Sequence, residues 1–369
     1  MWPLIIFGIP VLLSVFIFEF LSAQMYFVTG SENIDVFVLF RIAHLIPAFV
    51  FAYISDKNYR KGALFTSHLL GLVAVSTIYI FGFTFWALIL VALVFNPLAV
   101  ARAALLDNFS HYSTLKLMAV VFVVKMIPWI VFNYLRDVGF LSEDLLNITV
   151  LLFCVNAVFI GLFFQDKRDI FVHSHPQKKT HFLKGMKRKV IYLVLAFTLA
   201  QVPIRIAWDR IYYYFDVDIA AWTSVTTYSL MIGIICAMLY KCLPHLSILT
   251  LTYILGVCVM LALLLERSFG VFPSRFSFVG AMNYYCVIGG MTLPFAADAI
   301  ITMFGSQKKA IGAMMIDISE SGALLIAAMI SRFFSMFFYA DLFFSLAFFF
   351  IASVLQKHIE RRHVSTSDS

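Results

Sequence analysis
The residues in this chain that could do chemistry are the ionisable ones set inside apolar runs. Lys125 interrupts the stretch from Met118 to Trp129, and Glu19 is the one carboxylate between Pro10 and Thr29. Asp317 and Glu320 stand three apart, which places them on one face of a helix, and Asp298 belongs to the apolar run before them. Gln201, Arg205, Asp209 and Tyr212 recur at intervals of three and four and form a polar stripe with Pro203 inside it. In hydrocarbon a charged side chain is costly unless it is paired or wetted, so each of these groups either faces a water-filled passage or is locked in an ion pair. For Lys125 a cavity-facing cation and a buried pair are both open. For Asp298, Asp317 and Glu320 the alternatives are a path for protons or cations and pairing with Arg41, His44 or His68. For the stripe they are cavity lining and an interfacial anchor at Arg205. Lys125, Gln201, Arg205, Asp209 and His44 are the candidate cavity residues. Arg102 and Arg332 sit near the ends of apolar runs and read as anchors.

The elements that must position these groups are transmembrane helices. Of 369 residues, 62% are hydrophobic and 13% charged, and mean hydropathy is +0.95. A soluble fold cannot hide that much apolar surface. Apolar runs between polar breaks predict helices over residues 3–28, 34–54, 62–82, 84–106, 114–135 and 145–165. Six more follow over 190–214, 220–240, 246–265, 276–304, 310–338 and 340–356. The cut at Gly82 and Phe83 is the narrowest. The apolar N-terminus has no base ahead of it and carries Glu19, so it reads as a first span rather than a cleaved signal.

Bases gather in alternate loops: Lys57, Arg60 and Lys61, then Lys116, the run Lys167 to Lys189, Lys241, Lys308 and Lys309, and finally Lys357, Arg361 and Arg362. The positive-inside rule makes those loops and both termini cytoplasmic, and it accounts for the net charge of +7 without nucleic acid. The sequence thus divides into a six-helix bundle over 1–165, a basic linker over 166–189, a second six-helix bundle over 190–356 and a cytoplasmic tail over 357–369. His173, His175 and His181 in the linker lack the Cys or carboxylate partners of a metal site, and the five cysteines show no CxxC spacing. No metal, cofactor or catalytic set is expected, nor a Walker loop for ATP.

After the second run, Ala52-Tyr53-Ile54-Ser55-Asp56-Lys57-Asn58-Tyr59-Arg60-Lys61 resembles the loop signature G-x-L-x-D-R-x-G-R-K of the major facilitator superfamily. Asp56, Lys57, Arg60 and Lys61 match in kind and spacing, while Ala52 and Tyr59 replace the glycines. Gly289-Gly290-Met291-Thr292-Leu293-Pro294 followed by Phe304-Gly305-Ser306-Gln307-Lys308-Lys309-Ala310-Ile311-Gly312-Ala313 is similar to the tenth and eleventh helices of its twelve-helix drug/proton antiporter branch. Two features depart from that branch: the fifth run lacks the exporters' G-x-x-x-G-P-x-x-G-G pattern, and the fourth has no arginine in its outer half. The resemblance implies an all-α membrane fold of two six-helix halves and alternating access between them. It implies proton coupling through Glu19 on the first helix and a conformational role for the signature loop.

The expectation is a monomeric secondary transporter, not an enzyme, in a bacterial inner membrane, whose partners are a small-molecule substrate, protons and the bilayer. The resemblance implies proton-coupled export of a drug-like compound. Lys125 and Arg205 suit an anionic metabolite or polycarboxylate siderophore. The alternatives are import of an organic anion or nutrient and, from another class, a membrane-embedded lipid-processing enzyme.

Overall fold
The computed structural model describes residues 8–29, 34–57, 59–165, 188–215, 219–239, 245–268, 275–305, 308–333 and 338–367, and among them no strand occurs. In chain order the helices are α1 (Ile9–Thr29), α2 (Ile34–Ala43), α3 (Leu45–Asp56), α4 (Arg60–Phe81), α5 (Phe85–Val94), α6 (Leu98–Asn108), α7 (Thr114–Asp137) and α8 (Ser142–Val158), the last running into a π-helical turn (Phe159–Phe163). Then come α9 (Arg188–Phe215), α10 (Ile219–Leu239), α11 (His245–Ser268), α12 (Arg275–Phe304), α13 (Lys309–Phe333) and α14 (Phe338–Ser367). Nine stretches of the described residues are long and apolar enough to cross a bilayer. Three shorter apolar stretches, Ser224–Leu239, Ser247–Leu261 and Phe343–Lys357, fall on the eighth, ninth and twelfth expected runs.

Local chemistry sets the breaks. Gly82 takes φ +68°, a conformation that costs glycine little, and ends α4 there; Thr84 then caps α5 by accepting the Ala87 N–H. The second and fourth spans are each interrupted. Pro97 has no N–H to continue α5, Phe95 is extended, and Asn96 Oδ1 accepts the Leu98 N–H at 3.0 Å in place of a backbone carbonyl. The Asn96 amide also donates to the His44 carbonyl at 3.1 Å, so the break between α5 and α6 faces the turn between α2 and α3. Residues 357–369, expected as a tail, continue α14 as helix through Ser367.

Contacts divide the chain into two compact units, Met1–Lys184 with Ile301–Ile318, and Gly185–Ile300 with Ser319–Ser369. The segment 301–318, which the six-plus-six reading gives to the second half, groups with the first because residues of α3 and α6 hold it. Within the first unit the fourth span is 78% buried along its apolar window, whereas the third and sixth are 39% buried. The third and sixth therefore present broad apolar faces outward, and the fourth lies inside.

In the second unit α10 and α12 meet through a reciprocal pair of glycines. A Cβ on Gly233 would fall on the Val287 carbonyl oxygen, and one on Gly290 would fall on the Leu230 carbonyl oxygen. Small residues are how membrane helices approach closely. Gly290→Ala should therefore cost about 1–3 kcal/mol by overpacking and lower the thermal midpoint of the detergent-solubilised protein. Gly280→Ala, where a Cβ would meet nothing within 4 Å, should not lower that midpoint.

Candidate functional site
The start of α13 is electrostatically awkward. Lys308 and Lys309 stand where the helix dipole is already positive. Two carboxylates from elsewhere answer this. Asp56, the last residue of α3, accepts from the Ala310 N–H at 3.1 Å and the Ile311 N–H at 2.9 Å, capping α13 from 254 residues away. Asp107, near the end of α6, pairs with Lys309 at 2.7 Å and with Arg60 Nη2, also at 2.7 Å. Arg60 is fully buried at the first turn of α4, 3.7 Å from Asp56, and donates to Ser55. The signature loop thus lies in one network of two acids and two bases at the basic end of the first unit. Lys57 is outside that network, with its ammonium 4.2 Å from the exposed Tyr53 ring, and Lys61 is half-buried.

Deeper in the same wall, Arg102 of α6 donates to Asp317 at 2.6 Å and to the Ala313 carbonyl at 3.2 Å. Arg102 has no exposed surface, so it is a buried partner of α13 rather than the interfacial anchor expected from its position. Asp317, for which the sequence offers a proton path or pairing with Arg41, His44 or His68, meets Arg102. α6 carries Arg102 and Asp107, α13 carries Asp317 and Lys309, and the two pairs join the helices with opposite polarity. Asp298, half-buried, and Glu320, buried, belong to the second unit.

A second buried cluster lies among α1, α2 and α7. Glu19, 1% exposed, has Oε1 3.5 Å from Lys125 Nζ and 3.7 Å from Arg41 Nη1, and its Oε2 accepts from Trp129 Nε1 at 3.2 Å. Arg41 also donates to Ser22 and lies over the Phe18 ring; Lys125 lies 6.0 Å from the Phe122 ring centroid. Lys125 and Glu19 are thus brought together, and Arg41 joins them. The signals that could have found Arg41 were its being the one base within the second apolar run and its sitting opposite a lone acid.

The two buried histidines differ. His68 Nδ1 faces the Leu64 carbonyl at 2.9 Å and Nε2 takes the Asn156 amide at 2.9 Å, with Asn156 in turn donating to Ser14. This is a structural tie among the first, third and sixth spans. His44 sits against the rings of Phe18 and Phe40, its nitrogens turned toward the Ala92 and Phe95 backbone without reaching hydrogen-bond geometry. In the second unit Gln201 is buried and Arg205 half-buried one turn away on α9. The side chain of Asp209 and the linker histidines His173, His175 and His181 lie outside the described residues.

No family model matches the sequence, and no curated protein matches it. Solved structures do match along almost the whole length. A bacterial homologue of the iron transporter ferroportin, in an outward-facing state, has TM-score 0.71 at 13% identity, over 95% of this chain and 98% of that one. The E. coli fucose:proton symporter FucP, a major facilitator superfamily transporter, has TM-score 0.68 at 15% identity, over 96% and 99%. The human organic anion transporter MFSD10 has TM-score 0.64 at 13% identity, over 97% of each chain. The chain therefore has the major facilitator fold: an all-α membrane architecture of twelve crossings in two six-helix halves.

Two outcomes test this wall. Asp56→Asn removes the capping charge, worth about 1 kcal/mol, so hydrogen exchange at Ala310 and Ile311 should quicken several-fold; unchanged exchange would show that Asp56 does not cap α13. Arg102→Met leaves Asp317 buried without its guanidinium and should cost about 3–5 kcal/mol, while Arg102→Met with Asp317→Leu should recover most of that in a thermal-unfolding cycle.

Proposed function
We propose that this protein is a secondary transporter of the major facilitator type that carries a small organic anion across a bilayer, with Glu19 as the group that couples cargo to protons. The observation that carries the reading is the placement of Arg41 and Lys125 within 3.7 Å of one oxygen of a buried carboxylate. Bases at that depth are costly, and a transporter has a use for them as the counter-charges of its cargo. The fold alone does not choose a cargo: the structures it resembles are described as an iron transporter homologue, a fucose:proton symporter and an organic anion transporter. Two bases around one acid suit a carboxylate, such as an acidic metabolite or a polycarboxylate siderophore, and disfavour the lipophilic cations that drug exporters accept.

Access would alternate through the basic end of the first unit. The Asp56, Arg60, Asp107 and Lys309 network and the Arg102–Asp317 pair would hold one arrangement, and their separation would permit the other. Gln201 and Arg205 would line the second half of the path, with Asp298 and Glu320 as secondary proton groups. Both termini and the basic loops would be cytoplasmic, the membrane a bacterial inner one and the working form a monomer.

Glu19→Gln should abolish gradient-driven accumulation in vesicles while sparing downhill exchange of cargo. Uphill transport at the parental rate would transfer the proton role to Asp298, Asp317 or Glu320. For sidedness, Tyr59→Cys is placed in a background without the native cysteines. An impermeant thiol reagent added outside intact cells should leave it unlabelled, and labelling would invert the assigned topology.

A further inference from the structure
The fourth span breaks where a bilayer gives least help. Phe95 lies about 15 Å along it from Phe85, near the middle of a hydrocarbon core roughly 30 Å thick. A backbone carbonyl freed at that depth finds no donor in lipid. The amides that follow α5 are committed elsewhere or missing: Phe95 donates to Val91, Pro97 has no N–H, and Leu98 donates to the Asn96 side chain. Residues 95–97 are neither helix nor turn, so no amide of a following turn reaches the carbonyls of Ala92, Leu93 and Phe95. Ala92 and Phe95 have no exposed surface.

His44 stands opposite this break. It is 2% exposed, the rings of Phe18 and Phe40 edge onto it at 4.8 and 4.3 Å between centroids, and neither of its nitrogens makes a hydrogen bond. Both face the Ala92 and Phe95 backbone. The Asn96 amide fastens the two junctions together through the His44 carbonyl at 3.1 Å, which fixes the ring and the freed carbonyls against each other just short of direct bonding. Leaving an imidazole and a helix end both unmet costs more than immobilising one small molecule between them.

The chemistry of the lining selects that molecule. An anion would meet carbonyl oxygens at the negative end of α5. A metal ion would need several carboxylate, thiolate or imidazole ligands, and among the described residues no three such side chains gather. Any cation would also face Arg41, three residues before His44 and on the same helical face. A neutral molecule that both donates and accepts meets none of these objections.

We propose that His44 and the broken end of α5 hold an ordered water molecule inside the first unit. The water accepts the N–H of the neutral imidazole and donates to the Ala92 and Phe95 carbonyls, about the number of bonds usual for a buried water. A break closed in this way bends more freely than one closed by amides, because the water re-forms its bonds as the carbonyls shift. The helix α6, which carries Arg102 and Asp107, can then tilt against α5 without stranding a carbonyl.

The test is radiolytic footprinting of the purified full-length protein. X-ray pulses generate hydroxyl radicals from bound water where it sits, and mass spectrometry locates the side chains they oxidise. Phe18 and Phe40 are the reporters, and Phe132, as deeply buried but packed among Phe20, Ala23 and Leu145, is the dry comparator. Phe18 and Phe40 should be oxidised several-fold faster than Phe132. His44→Gln, whose amide keeps a donor and an acceptor, should preserve that difference, and His44→Phe should abolish it. Equal rates at the three rings of the parent protein would mean a dry junction and overturn the proposal. Rates that stay high in His44→Phe would place the water elsewhere in the first unit and overturn it as well. Should His44→Phe fail to fold, His44→Met, apolar and unbranched, takes its place with the same expected loss.

Discussion
A helix that begins with two lysines must borrow its negative charge from elsewhere, and the first unit is organised around supplying it. Asp56 gives both carboxylate oxygens to the exposed amides of α13, and Asp107 neutralises Lys309 while holding the buried Arg60. Removing either acid would leave a positive helix end beside buried cations. The tie is strong where charge, dipole and geometry coincide. It is also reversible, because none of the bonds is covalent and water can replace each of them.

The two charged clusters of the first unit contrast in bonding. At the basic end the ion pairs are short, 2.6 to 2.7 Å, and join α6 to α13 with opposite polarity. Around Glu19 the separations are 3.5 and 3.7 Å, and one oxygen accepts no hydrogen bond. Short pairs favour one arrangement of helices. The sequence offers both Glu19 and Asp317 as carboxylates in apolar runs, and the structure distinguishes them by the bases they meet.

Much of the architecture was legible because the bilayer imposes a length and a composition on each crossing. The run 114–135 became Thr114–Asp137 and the run 276–304 became Arg275–Phe304, while the narrow cut at Gly82 proved to be a true helix end. Asp56 was marked out by the loop signature, although its partners at the start of α13 were not. Partner choice was not. Arg102 and Asp317 are 215 positions apart, and their meeting depends on how α6 and α13 are rotated about their axes. Helices that are apolar on every side carry no stripe to reveal that rotation. Hence Arg102 read as an anchor, Asp107 was not singled out, and Arg41 was not considered as a partner for Glu19.

The exposed faces of the third and sixth spans bear on how far such a chain can drift over evolutionary time. A side chain that meets only lipid tails has to be apolar and little else, so leucine, valine, phenylalanine and isoleucine replace one another there at almost no cost. Positions such as Gly233 and Gly290, where a single methyl has nowhere to go, tolerate no such exchange. Selection therefore acts on a sparse set of contacts and leaves wide surfaces free to vary. Structures that agree over more than nine-tenths of their length while sharing 13 to 15% of their residues are what that asymmetry produces.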